Sequence, residues 1–256
     1  DMIVGDYSLN PCVFWNDGNA QFTMQTNLFA MNGLAWPAIG DLDGDGDQDV
    51  MLCGEDQRDT VWINDGAGNF TLSPHYLNKR LFNPKLADLD GDGDLDVVAS
   101  ANNDYFVETV YALINNGEGI FSIGTTLTYS RPGIIHFGPL ICLGDLDADG
   151  DVDLAYRGIG AACRAWLNDG NASFATSSLP YPANSYGFAM GDLNADNALD
   201  VLIGNTSYTP PYPVFNDGHA VFSNGAITSN ATEVVLFALG DLDGNGTLDA
   251  LNSGLE

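Results

Sequence analysis

Five short stretches of the chain collect carboxylates at one fixed spacing, beginning at Asp41, Asp88, Asp145, Asp192 and Asp241. The first reads Asp41-Leu42-Asp43-Gly44-Asp45-Gly46-Asp47-Gln48-Asp49. The second and third keep its acidic positions, with Asp88, Asp90, Asp92, Asp94 and Asp96, then Asp145, Asp147, Asp149, Asp151 and Asp153. Side-chain oxygens at positions 1, 3, 5 and 9, with a backbone carbonyl at position 7, can wrap a hard cation, and a glycine at position 6 allows the bend. Calcium accepts six to eight oxygens in flexible geometry, whereas magnesium demands a strict octahedron and keeps its water. The expectation is up to five Ca²⁺ ions.

Two loops depart from this pattern. The fourth carries Asp192, Asn194, Asp196, Ala198 and Asp200 at the ligand positions, with Asn197 where glycine is usual. The fifth carries Asp241, Asp243, Asn245, Thr247 and Asp249. Each retains three carboxylates, so both are expected to bind more weakly, because affinity follows ligand charge. Ala198 and Thr247 enter only as position-7 carbonyls. An EF-hand opens similarly but needs a bidentate Glu at position 12 and flanking helices. Position 12 here is Leu52, Ala99, Tyr156, Ile203 or Asn252, which excludes it.

The charge balance points the same way. There are 35 acidic residues against 7 basic ones, a net charge of −28. The five loops hold 21 of those acids, so the charge is clustered rather than spread for solubility. Clustered like charges repel and call for cations. Phosphate binding needs Lys and Arg, so nucleic acid is not an expected partner. No apolar run approaches the ~18 residues of a membrane span. Cys12, Cys53, Cys142 and Cys163 lack zinc-ligand spacing and read as small buried strand residues. Cys142 and Cys163 are the one pair considered for a disulfide, in an oxidising compartment.

The elements that must position these loops follow from a second motif in phase with them. Asn16-Asp17-Gly18, Asn64-Asp65-Gly66, Asn115-Asn116-Gly117, Asn168-Asp169-Gly170 and Asn216-Asp217-Gly218 each follow a short apolar run. Each precedes an aromatic: Phe22, Phe70, Phe121, Phe174 or Phe222. Such turns need φ > 0 and signal hairpins. Loop starts are 47, 57, 47 and 49 residues apart. The unit reads as strand, Asp loop, strand, connection, strand, Asn-Asp-Gly turn, strand. In the second unit the strands are expected at Leu34–Ile39, Val50–Cys53, Thr60–Ile63 and Asn69–Leu72. Four short strands per ~48 residues predict an all-β chain, a β-propeller of four-stranded antiparallel blades. Asp1-Met2-Ile3-Val4 aligns with Asp49-Val50-Met51-Leu52, so strand two occurs six times, and the chain reads as a segment of a longer array or larger propeller.

Residues 41–49, 88–96 and 145–153, with Phe137-Gly138 upstream of the third loop, resemble the FG-GAP repeats of integrin α-subunits and their VCBS-type relatives. The resemblance extends over the whole chain. It implies a calcium-binding propeller at the cell surface or outside the cell, acting in adhesion, carbohydrate binding or as an accessory domain.

In such a blade the Asp loops and Asn-Asp-Gly turns share one end, and the connections between them share the other. The third unit is longer, near Asn102–Phe106 and Thr125–Ile134. Arg58, Lys79, Arg80 and Arg131 lie on that opposite end with Tyr76, Tyr105 and Tyr129, a candidate face for a protein or glycan ligand. Trp15, Trp62 and Trp166 recur on strand three and read as core. His75, His136 and His219 are isolated, and no nucleophile–histidine pair or phosphate loop occurs, so no catalytic activity is expected. Sequons at Asn69, Asn171, Asn205, Asn230 and Asn245 fit a secreted glycoprotein, with Asn245 expected to be taken by metal instead. The alternatives to a binding module are a self-associating filament or stalk subunit and an accessory domain of a secreted carbohydrate-active enzyme.

Overall fold

A computed structural model of the chain describes residues 1–5, 10–31, 34–54, 59–74, 77, 79–101, 107–130, 140–157, 163–180, 185–205, 211–225 and 234–254. The described residues form strands, turns and bends with no helix. Two compact units comprise Asp1–Tyr129 and Ser130–Glu256.

The first unit opens with a three-stranded sheet of β1 (Met2–Val4), β2 (Cys12–Asn16) and β3 (Phe22–Gln25), in that order. A four-stranded sheet follows: β4 (Ala35–Gly40), β5 (Asp49–Gly54), β6 (Thr60–Asn64) and β7 (Phe70–Leu72). The next comprises β8 (Leu81–Ala87), β9 (Asp96–Ala101), β10 (Val107–Asn115) and β11 (Phe121–Ser130). In the second unit, β12 (Leu140–Gly144), β13 (Asp153–Arg157), β14 (Arg164–Asn168) and β15 (Phe174–Ser178) form one four-stranded sheet. β16 (Ser185–Gly191), β17 (Asp200–Asn205), β18 (Tyr212–Asn216) and β19 (Phe222–Asn224) form another, and β20 (Val234–Gly240) pairs with β21 (Asp249–Gly254). Sheet order follows chain order throughout, as short loops between antiparallel neighbours require.

The strands expected for the second sequence repeat fall within about a residue of β4–β7. The insertion read as a connection near Thr125–Ile134 is different. Thr125–Ser130 continues β11, a ten-residue strand, so only residues beyond it can connect, and 131–139 lie outside the described residues. β11 is hydrogen-bonded along its sheet to the nine-residue β10, and strand pairing satisfies backbone groups that a loop would leave to solvent.

The second strand of each four-stranded sheet is the most buried. β5 (Asp-Val-Met-Leu-Cys-Gly) and β9 (Asp-Val-Val-Ala-Ser-Ala) are buried at every position. Continuous apolar runs are what a strand covered on both faces requires. The last strand of each of three sheets is open: β3 is exposed throughout, and β15 and β19 are exposed or half-buried. One core joins β4–β7 to β8–β11 through Met51, Val61, Val97, Tyr111, Leu113 and Phe121. A second core, in the other unit, joins β12–β15 to β16–β19.

Two of the three strand-three tryptophans are core, whereas Trp15 is half-buried against a core cluster and its indole N–H donates to Gln25 Oε1 at 2.7 Å. Trp62 is buried and meets Phe29 edge-on at 5.4 Å, and Trp166 packs beside the fully buried Tyr156. Cys12, Cys53 and Cys163 are buried, as expected for small strand residues. Cys142 and Cys163 are thiols, not a disulfide; both pack in or against one apolar cluster, where burial alone accounts for them. No described helix is long and apolar enough to cross a membrane.

Candidate metal centre

Each Asp loop links the first strand of a sheet to the second. Gly40 pairs with Asp49 across β4 and β5, so the nine residues 41–49 close over the end of a hairpin. Two positive-φ residues give the loop its curl: Gly44 (φ 77°) at position 4 and Gly46 (φ 94°) at position 6. The same pair recurs as Gly91 and Gly93, Ala148 and Gly150, Ala195 and Asn197, and Gly244 and Gly246. Position 6 is thus the bend the sequence indicated, and Asn197 adopts it at φ 70°. Position 4 is a second bend that the ligand spacing does not announce.

Backbone amides inside the curl orient the carboxylates. Asp41 Oδ1 and Oδ2 accept from Gly44 N and Gly46 N at 2.8 and 3.0 Å. Asp45 Oδ1 accepts from Asp47 N at 2.9 Å. Asp88 accepts from Gly91 N and Gly93 N at 2.8 and 3.0 Å, and Asp145 from Ala148 N and Gly150 N at 2.7 and 3.1 Å. These bonds fix the carboxylate of position 1 in all three loops and that of position 5 in the first.

Oxygens of Asp41, Asp43 and Asp45 lie within 4.8 Å of one another, as do those of Asp88, Asp90 and Asp96. Asp145, Asp147 and Asp153 make a third such group, and Asp241, Asp243 and Asp249 a fourth. Among the described residues, loop four makes no group of three carboxylates. There the Asn194 amide donates to Asp196 Oδ2 at 2.8 Å, so a neutral donor occupies the place where position 3 supplies charge elsewhere.

Position 9 serves the fold as well as the site. Asp49 Oδ2 accepts from Leu42 N, and Oδ1 from Asn64 N, both at 2.8 Å. Asp96 holds Leu89 N and Asn115 N at 2.8 Å, and Asp153 holds Leu146 N and Asn168 N at 2.7 Å. Asp200 repeats the pair with Leu193 N and Asn216 N. One buried carboxylate therefore ties the Asp loop to the Asn-Asp-Gly turn of its own sheet, which puts both at the same end. Asp1 Oδ1 accepts from Asn16 N at 2.7 Å, so the alignment of Asp1 with Asp49 holds in three dimensions.

At position 7, the side chains of Asp47, Asp94 and Asp151 lie against Gly66, Gly117 and Gly170 of the turns, while Ala198 faces Gly218. The turn glycines all have positive φ (Gly66 72°, Gly117 75°, Gly170 73°, Gly218 81°), a backbone conformation that favours glycine. None of these position-7 side chains belongs to the groups of three converging carboxylates.

The electrostatics record what the clustering costs without a cation. Burial and neighbouring carboxylates raise Asp43, Asp90 and Asp147 above the ordinary carboxylate range. Burial pushes Asp96 and Asp153 up to about 6, against the opposing effect of their backbone hydrogen bonds. Asp241 is lowered by the amides of Gly246, Gly244 and Asn245. Asp147 Oδ1 is a buried oxygen with no hydrogen-bond partner. A divalent cation would complete that oxygen and cancel the repulsion, so hard, anionic donors of this kind fit calcium.

A family model described as FG-GAP-like repeat matches residues 1–52, 41–99, 88–156 and 145–203. The chain belongs to the FG-GAP-like repeat family. Three of the matches begin at the first aspartate of a loop, so each repeat runs from one Asp loop through the next. The fifth loop lies beyond the matched residues, yet Leu242 N donates to Asp249 Oδ2 at 2.9 Å as in the other four. No curated protein sequence matches the chain. Among solved structures, the exotype rhamnogalacturonan lyase YesX is similar at 17% identity and a TM-score of 0.53. The alignment covers 85% of this chain but 44% of the lyase, and it speaks to the fold.

Of the opposite-end residues singled out in the sequence, Arg58, Arg131, Tyr76 and Tyr105 lie outside the described residues, as do His75, His136, Phe137, Gly138 and Asn230. Lys79 Nζ sits 5.2 Å from the Tyr111 ring centre and Arg80 5.6 Å from that of Phe82. Both cations cover aromatic rings of the β8–β11 sheet.

Proposed function

We propose that the chain is a calcium-stabilised segment of β-propeller blades acting outside the cell as a binding or adhesion module. The observation that carries this reading is the convergence of three carboxylates in four loops of identical backbone design, one of them holding a buried oxygen without a partner. In loops one to three, positions 1, 3, 5 and 9 would hold the ion with the position-7 carbonyl. Asp192, Asn194, Asp196 and Asp200 in loop four, and Asp241, Asp243, Asn245 and Asp249 in loop five, would do so more weakly. The ion supplies charge neutralisation and fixes the loop. The family match and the fold likeness to a lyase support the extracellular location.

With the Asp loops committed to metal, the ligand belongs at the other end of the sheets, where connections vary in length. The ligand is a protein or a carbohydrate, and the chain has no catalytic activity of its own. The fold likeness to a rhamnogalacturonan lyase favours a second reading, an accessory domain of a secreted carbohydrate-active enzyme.

Native mass spectrometry of the chain with calcium, followed by a glycan array in calcium and in chelator, tests both parts. Bound ions and selective, calcium-dependent capture of one sugar class support the binding module. Absence of bound ions at millimolar calcium contradicts it, and hydrolysis or elimination of a captured glycan contradicts the non-catalytic assignment.

A further inference from the structure

We propose that the metal sites of successive sheets are energetically coupled, and that Asn115 and Asn216 are the positioning residues that couple them. The inference rests on the calcium reading above and concerns two pairs of loops, one with two and three with four.

The joint is the second residue of each Asp loop. Leu42 is held at three points. Its N–H donates to Asp49 in its own sheet at 2.8 Å. Its carbonyl accepts from the side-chain amide of Asn115, at the end of β10 in the next sheet, at 2.8 Å. Its side chain is fully buried in a cluster that includes Tyr111, Leu113 and Phe121 of that next sheet. Leu42 stands between Asp41 and Asp43, so whatever fixes it fixes two of the converging carboxylates.

Asn115 also grips the loop of its own sheet. The same Nδ2 donates to Leu95 O, position 8 of loop two, at 3.1 Å. Its backbone N–H donates to Asp96 Oδ1, position 9 of that loop, at 2.8 Å. One side chain thus spends its two amide hydrogens on two different metal loops. The second unit repeats the device. Asn216 Nδ2 donates to Leu146 O in loop three at 2.8 Å and to Leu199 O in loop four at 3.2 Å. Leu146 O also accepts from Ala220 N at 3.0 Å.

Apolar contact reinforces the polar clamp. A Cβ on Gly40, the residue before loop one, would lie 2.7 Å from Leu95 Cδ1. On Gly144, before loop three, it would lie 2.6 Å from Leu199 Cδ1. Position 8 of one loop is therefore seated on the entrance to the preceding loop. Two donors on one planar group are required at the clamp, which aspartate cannot offer. The residue is Asn in all five turns, whereas the next one is Asp in four and Asn (Asn116) in one. An ion that orders loop two fixes Leu95 and Asp96, hence Asn115, hence Leu42, and lowers the ordering cost of loop one.

The test follows amide hydrogen exchange of residues 41–49 during a calcium titration of the full chain. Asp90→Asn with Asp92→Asn disables loop two while leaving the backbone-bonded Asp88 and Asp96 in place. In the otherwise unaltered chain this double change is expected to raise the loop-one midpoint about fivefold, the lower end of ordinary coupling. Asn115→Asp alone is expected to raise it comparably and to abolish the further effect of disabling loop two. Val110→Ala, buried on the same strand, serves as the control that lowers stability without touching the loops. An unmoved loop-one midpoint after disabling loop two overturns the coupling, even if Asn115→Asp proves too unstable to study. A midpoint shifted equally by Val110→Ala overturns the positioning role. Calcium-independent exchange in every loop overturns the calcium reading itself, and the coupling with it.

Discussion

At position 9 of loops one to four a carboxylate is spent on two backbone amides before any metal arrives. Asp96 and Asp153 are wholly buried and latch both the Asp loop and the Asn turn. Asp153→Asn keeps the shape but turns one acceptor into a donor facing an N–H. It is expected to destabilise the chain by about 2–3 kcal/mol in chelator as well as in calcium, as judged by urea denaturation. A loss confined to calcium would mean that Asp153 serves only as a ligand. Ala148 adopts φ 62° at position 4, where loops one, two and five have glycine. Relief of left-handed strain makes Ala148→Gly stabilising by roughly 1 kcal/mol in the same assay, and a loss of that size would contradict it. Acid acts on these carboxylates too. Because burial raises Asp96 and Asp153 to about 6, above the ordinary 3.8, their folded forms hold protons that the unfolded chain releases. In chelator, their contribution to stability is present below pH 4 and is lost as pH rises through about 6. Melting temperature in EDTA should therefore climb from pH 7 to pH 5, whereas in calcium it should fall, because protons displace the ion. A fall in both conditions would contradict the sign.

At the scale of the element, much was legible because each signal was local. The loop spacing, the Asn-Asp-Gly turns and the short apolar runs placed β4 to β7 within about a residue. The length of β11 was not legible, because strand pairing with β10 rests on backbone bonds that no side-chain pattern marks. The clamp from Asn115 to Leu42 was hidden for a related reason: it joins residues 73 apart, and the hairpin turn alone seemed to explain the asparagine. The repeated Asn at that turn position, beside a variable neighbour, was the available signal. Tight seating between sheets gives a further expectation. Gly144→Ala would drive a methyl toward Leu199 and Met190, and overpacking of this kind costs about 1–3 kcal/mol. Unchanged denaturant stability would show that these side chains yield freely.

For the whole molecule, the net charge of −28 is the quantity that the metal sites answer. Two compact units with repeated sheets each bury a core around strands that are apolar on both faces, yet each also gathers carboxylates at one end of its sheets. At ~2 mM free calcium and a dissociation constant of ~0.1 mM, each filled site contributes roughly 1.8 kcal/mol. Several sites together would match the ~5–15 kcal/mol net stability of an ordinary domain. The most direct measurement is thermal unfolding of the chain at pH 7 in EDTA, then with 2 mM calcium and with 2 mM magnesium. Calcium is expected to raise the transition by more than about 10 °C, and magnesium by much less. Identical transitions in chelator and calcium would contradict the assignment of these loops as calcium sites.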